Sequence, residues 1–101
     1  MDIKIKMKKN GNELTVQAAG RLDAITSPEL DRMLETSYKG IEKLIIDLGK
    51  LEFISSAGLR VLLGASQTME QQGGEMIVRN LTTPVRNVME IVGFDSAINI
   101  E

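Results

Sequence analysis

The chain has 101 residues, with 12 Lys and Arg against 14 Asp and Glu for a net charge of -2. This suits one domain and, with no basic block, speaks against nucleic acid as the main partner, because phosphate neutralisation supplies that affinity. There is no His, Cys or Trp, which removes Ser-His-Asp and Cys-His nucleophiles, histidine phosphotransfer, thiolate redox chemistry, and metal sites built on His or Cys.

Apolar residues make up 43% of the chain but aromatics only 3%, so the core is expected to be aliphatic, with Phe53, Phe94 and Tyr38 as its few large pieces. At the N-terminus Met1-Asp2-Ile3-Lys4-Ile5-Lys6 alternates charged and apolar groups where a secretory signal needs an unbroken apolar run. Apolar stretches stay far short of the ~20 residues that cross a bilayer. The expectation is a soluble, cytoplasmic protein without a membrane span.

Ile3, Ile5 and Met7 against Lys4, Lys6 and Lys8 predict a half-exposed strand guarded by lysines. Asn10-Gly11-Asn12 turns the chain into a second strand, Leu14 to Ala19, making a hairpin. Gly20-Arg21-Leu22-Asp23 follows, and Thr26-Ser27-Pro28-Glu29 reads as a helix start, with Ser27 as the cap and Pro28 in the first turn. Leu30, Met33 and Leu34 share a face of this helix, which is expected to end near Gly40.

Lys43 to Leu48 is a short, largely aliphatic run with one acid, Asp47, and suits a strand at the sheet centre. A loop through Phe53-Ile54-Ser55-Ser56 leads to a second helix with Leu59, Leu62, Leu63, Ser66 and Met69 inward, stopped by Gly73-Gly74. Glu75 to Arg79 is a strand. Thr83-Pro84 opens a third helix with Val85, Val88, Met89 and Val92 inward; Gly93 closes it, and Ile98-Asn99-Ile100 forms an edge strand. The order β-β-α-β-α-β-α-β predicts a single α/β domain with a mixed, mostly parallel sheet flanked by helices.

In such a sheet, partners meet the loops at the carboxyl ends of the parallel strands. Two loops qualify: Gly20 to Ser27, with Asp23, Thr26 and Ser27, and Phe53 to Gly58, with Ser55, Ser56 and Ala57. A phosphate on Ser56 would lie against the amides of Gly58 and Leu59, a placement worth about 0.3–1 kcal/mol at an exposed helix end. Capping alone, worth about 1 kcal/mol, also accounts for a serine there. Asp23 is equally read as a turn former and Asp47 as a bonded strand-end acid. Arg60, Gly64, Gln67 and Gln71 form a polar ridge opposite the leucine stripe, with a gap at Gly64 into which a partner could pack.

The segments Gly20-Arg21-Leu22-Asp23-Ala24, Thr26-Ser27-Pro28-Glu29-Leu30, Leu44-Ile45-Ile46-Asp47-Leu48 and Phe53-Ile54-Ser55-Ser56-Ala57-Gly58-Leu59 together resemble a STAS domain of the bacterial anti-sigma factor antagonist type, over nearly the whole chain. The resemblance implies a regulator without enzymatic activity or cofactor, with Ser56 as phosphoacceptor. It further implies that the Asp23, Thr26, Ser27, Ser55, Ala57, Gly58, Arg60, Gly64 and Gln67 surface docks on an anti-sigma factor serine kinase. ATP and magnesium belong to that kinase, and a serine phosphatase would be a further partner. The family usually carries aspartate where this chain has Ser55, which points to the alternative of a constitutive scaffold or transporter accessory module. A small enzyme or nucleotide-binding domain using Asp23 and Ser56 ranks last, since no base stands beside a nucleophile and no Walker sequence is present.

Overall fold

The computed structural model describes residues 3–101; Met1 and Asp2, which open the alternating N-terminal segment, lie outside them. Strands β1 (Ile3–Asn10) and β2 (Glu13–Leu22) form the antiparallel hairpin. Helix α1 (Ser27–Glu35) leads to β3 (Lys43–Ile54), and α2 (Ser56–Gln71) to β4 (Glu75–Arg79). Helix α3 (Thr83–Ile91) and a 3-10 turn (Phe94–Ser96) then precede β5 (Asn99–Ile100).

The strands lie in sequence order, β2 to β5 mutually parallel, with β3 at the centre as its apolar run predicts. Leu14, Val16 and Ala18 of β2 join Leu44, Ile46 and Leu48 of β3 and Met76 and Val78 of β4 on one face. There they meet Leu30 and Leu34 of α1, Leu59, Leu62 and Met69 of α2, and Val85 and Met89 of α3 in one core. The molecule's shortest extent, 19 Å, has room for one sheet and one helix layer. Ile45 is buried on the opposite sheet face, between Thr15 and Ile77. Among the described residues no helix is long and apolar enough to cross a membrane.

Several boundaries depart from the sequence pattern. β2 and β3 continue to Leu22 and Ile54, so Gly20-Arg21-Leu22 and Phe53-Ile54 are strand rather than loop. Register shifts between Gln17 and Ala19 and between Gly20 and Arg21 let the pairing run on past Leu48-Gly49 and past Glu52. Helix α1 ends at Glu35, well before Gly40, because the Thr36 and Ser37 hydroxyls both donate to the Met33 carbonyl and take over the last turn. On α2, Ala65 is buried where Ser66 was expected; Leu63 and Ser66 are only half-buried. Helix α3 does open at Thr83 as expected, and the Thr82 hydroxyl before it donates to the Leu51 carbonyl. Val92 follows the end of α3 and is 54% exposed, so it leaves the stripe it was expected to complete.

Candidate functional site

The carboxyl ends of β2 and β3 come together where the Ser55 amide donates to the Leu22 carbonyl at 2.9 Å, joining the start of α2 to the end of β2. In the loop after β2, the Asp23 carboxylate accepts from the amides of Ile25 and Thr26, both at 3.0 Å. The bond from the Thr26 amide, opposed by some desolvation and aided by Ile25, the Thr26 hydroxyl and Arg21, holds the Asp23 carboxyl below the usual carboxylate range. The Thr26 hydroxyl donates to the Arg21 carbonyl at 2.7 Å and accepts from the Asp23 amide at 2.9 Å. Asp23 is thus the turn former that its residue type allows.

This geometry corrects two expectations. Ser27 does not cap α1: it is the first helical residue, Thr26 precedes it, and the nearby amides are held by Asp23 instead. Thr26 and Ser27 are also only 4% and 2% exposed, so neither presents a surface to a partner. The Ser27 Oγ has no hydrogen-bond partner among the described residues.

At the start of α2 the cap is Ser55, whose extended backbone (φ -100°, ψ 177°) aims its Oγ at the Gly58 amide, 3.4 Å away. Ser56 is the first helical residue and its side chain is exposed. The amides of Gly58 and Leu59 are therefore not free to meet a phosphate, as the sequence suggested: Gly58 donates to Ser55 Oγ, and Leu59 to the Ser55 carbonyl at 3.0 Å. Gly58 is likewise buried rather than presented. A Cβ there would lie 2.8 Å from Ile54 Cγ1 and 2.9 Å from both Leu22 Cγ and the Leu22 carbonyl oxygen, so glycine is what lets α2 pack on the strand ends.

Beyond Ser56 the exposed side of α2 carries Arg60, Gly64 and Gln67, with open space around Gly64. Two recesses flank Arg60. One, about 400 Å³, lies between α1 and α2, lined by Ser27, Pro28, Asp31, Ala57, Arg60, Val61 and Gly64. The other, about 240 Å³ and almost wholly apolar, is lined by Ser56, Leu59, Arg60, Leu63, Val92 and Phe94. The structure thus brings Ser56, Ala57, Arg60 and Gly64 to one surface with Gln67 further along the helix. It turns the Asp23 carboxylate into its own loop.

Sequence reasoning missed Val92, Phe94, Leu63 and the 83% exposed Ile91 as surface. The available signal was Gly93, whose left-handed φ of 75° marks the corner after α3 that places Phe94 beside this recess. Asp47 lies inside β3 rather than at a strand end as expected, and accepts from the Gly49 amide at 2.9 Å and the Asn80 side chain at 3.1 Å. A larger recess, about 650 Å³, lies at the opposite end of the sheet around Met7, Leu14, Ser37 and Lys39. The Thr36 and Ser37 hydroxyls there both donate to the Met33 carbonyl.

A family model described as the STAS domain matches residues 4–101. The chain is 36% identical over 93 residues, 91% of its length and 80% of the other's, to BtrV of Bordetella bronchiseptica, which is named as a candidate anti-sigma factor antagonist. It is 30% identical over 95 residues to the anti-sigma F factor antagonist of Paenibacillus polymyxa, covering 92% of this chain and 81% of that one. The fold matches that of the Bacillus cell fate determinant SpoIIAA in its phosphorylated form, with a TM-score of 0.76 at 18% identity over 97% of this chain and 91% of that one.

Proposed function

The chain belongs to the STAS domain family, and on that premise we propose that it is an anti-sigma factor antagonist that docks on an anti-sigma factor serine kinase when Ser56 is bare and is released when Ser56 is phosphorylated. The observation that carries this reading is the contrast among the hydroxyls at the starts of α1 and α2. Thr26 and Ser27 are buried, Ser55 is half-buried and capping, and Ser56 alone of the four is exposed. Its side chain borders an apolar recess beside a ridge with an open place at Gly64, and core apolar contact within a polar rim is what a protein interface needs. That the SpoIIAA fold exists in a phosphorylated form supports the same reading.

The kinase supplies ATP and magnesium. The Ser56 Oγ attacks the γ-phosphorus, ADP leaves, and the hydroxyl proton passes to the kinase. The product adds about -1.5 to -2 charges at neutral pH. Desolvating that charge in the complex without a matched cation costs several kcal/mol, and each 1.4 kcal/mol weakens binding about tenfold.

Ser55 fits this switch. Serine and aspartate cap a helix comparably, so the helix start survives the family's usual aspartate being absent, while the hydroxyl at 56 has one less negative neighbour. The test is mass spectrometry of the chain after incubation with its cognate kinase and ATP. One phosphate is expected, absent in Ser56→Ala, and Ser56→Glu should bind that kinase about 100-fold or more weakly with an unchanged circular dichroism spectrum. No modification, with binding indifferent to Ser56→Glu, overturns the proposal in favour of a constitutive scaffold or transporter module.

A further inference from the structure

Arg60 stands four residues after Ser56 on α2, both are exposed, and both line the same apolar recess with Leu59, Leu63, Val92 and Phe94. Residues at this spacing are neighbours on a helix surface, with Cβ atoms about 5–6 Å apart. The Cα–Cβ bonds of a helix tilt toward its N-terminus, so the Arg60 side chain leans back over the first turn, toward Ser56. An anion placed four residues before a cation is also the favourable order along a helix. Among the described residues the remaining lining of this recess is apolar; Asp31, on α1, shares the other recess with Arg60.

Resting on the reading of Ser56 as the phosphoacceptor, we propose that Arg60 is the intramolecular counter-cation of the Ser56 phosphate and turns from the partner-facing ridge onto the phosphate when Ser56 is modified. A guanidinium presents paired N–H donors that match two phosphate oxygens. Modification then changes the ridge twice over: the docking surface gains an anion and loses its free cation. A partner whose face presents a carboxylate to Arg60 is rejected on both counts. The pairing also holds the phosphate against the body of the domain rather than leaving it to swing in solvent.

The test installs phosphoserine at position 56 directly, without any kinase, and follows the second ionisation of the phosphate by phosphorus NMR across pH 4 to 8. Pairing with a cation favours the dianion, so the midpoint should lie about 0.2–0.4 of a pH unit lower in the parent chain than in Arg60→Gln, with Arg60→Lys between them. The helix N-terminus acts equally on all three chains and cancels from the difference. Equal midpoints in the parent and Arg60→Gln overturn the pairing. Failure of a kinase to modify Ser56 is a separate result: it removes the phosphoacceptor reading and leaves this titration standing as a measurement on the installed phosphate.

Discussion

The starts of α1 and α2 look alike in sequence, each a pair of hydroxyl residues at the end of a parallel strand, and they behave oppositely in the structure. At α1 the pair is sealed: Thr26 and Ser27 are buried, the Asp23 carboxylate accepts from the Thr26 amide, and the Thr26 hydroxyl accepts from the Asp23 amide and donates to the Arg21 carbonyl. At α2 the first serine caps and the second faces out beside an apolar recess. A hydroxyl at a helix start therefore says little about function by itself. What covers it decides whether it is a structural brace or a surface on which another protein can act.

The comparison can be broken by treating the two starts alike. Thr26→Val keeps the shape of a buried side chain but leaves the Asp23 amide and the Arg21 carbonyl without their partner. It should cost about 2 kcal/mol, read as a shift in the urea midpoint at constant slope. A change under about 0.5 kcal/mol would show that the α1 start is not held by this network.

At α2, Ser55→Ala removes the cap and should cost about 1 kcal/mol, at the lower end for such caps because the bond to Gly58 is long at 3.4 Å. Ser56→Ala should stay within about 0.5 kcal/mol, since its hydroxyl is exposed and outside the cap. If Ser56→Ala proved the more damaging of the two, the roles of the two serines would have to be exchanged.

The smallest effect is one of pH. The Asp23 carboxyl is held below its ordinary value in the folded chain, so its ionised form favours the fold above the unfolded pKa of about 4 and this contribution is lost as pH falls through the lower folded value. The stability gap between the parent chain and Asp23→Asn should be flat above about pH 5 and narrow below about pH 4. A gap that stays constant down to pH 2 contradicts the Asp23 turn as drawn.

Much of the fold was legible along the chain. The alternation of Ile3, Ile5 and Met7 with lysines and the aliphatic run Leu44-Ile45-Ile46 each mark their strand correctly, because burial on one face or both leaves a periodic trace in the residues themselves. The ends were less legible. Gly40 marks a turn with φ 77° rather than the end of α1, since hydroxyls at 36 and 37 had already claimed the last carbonyl. Val92 satisfies the stripe spacing of α3 yet lies outside, because the helix stops at Ile91 and Gly93 redirects the chain.

Local pattern settled the order of elements, the aliphatic core and the candidate serines, for these depend on the residues nearest in sequence. Tertiary structure decided which hydroxyl is covered, why position 58 has no room for a side chain, and that Val92 and Phe94 stand beside Ser56. Exposure and close approach are set by whatever packs from elsewhere in the chain: Leu22 and Ile54 against Gly58, and the α3 corner against the start of α2. Those contacts are long in sequence and leave no periodic trace in the segment they enclose.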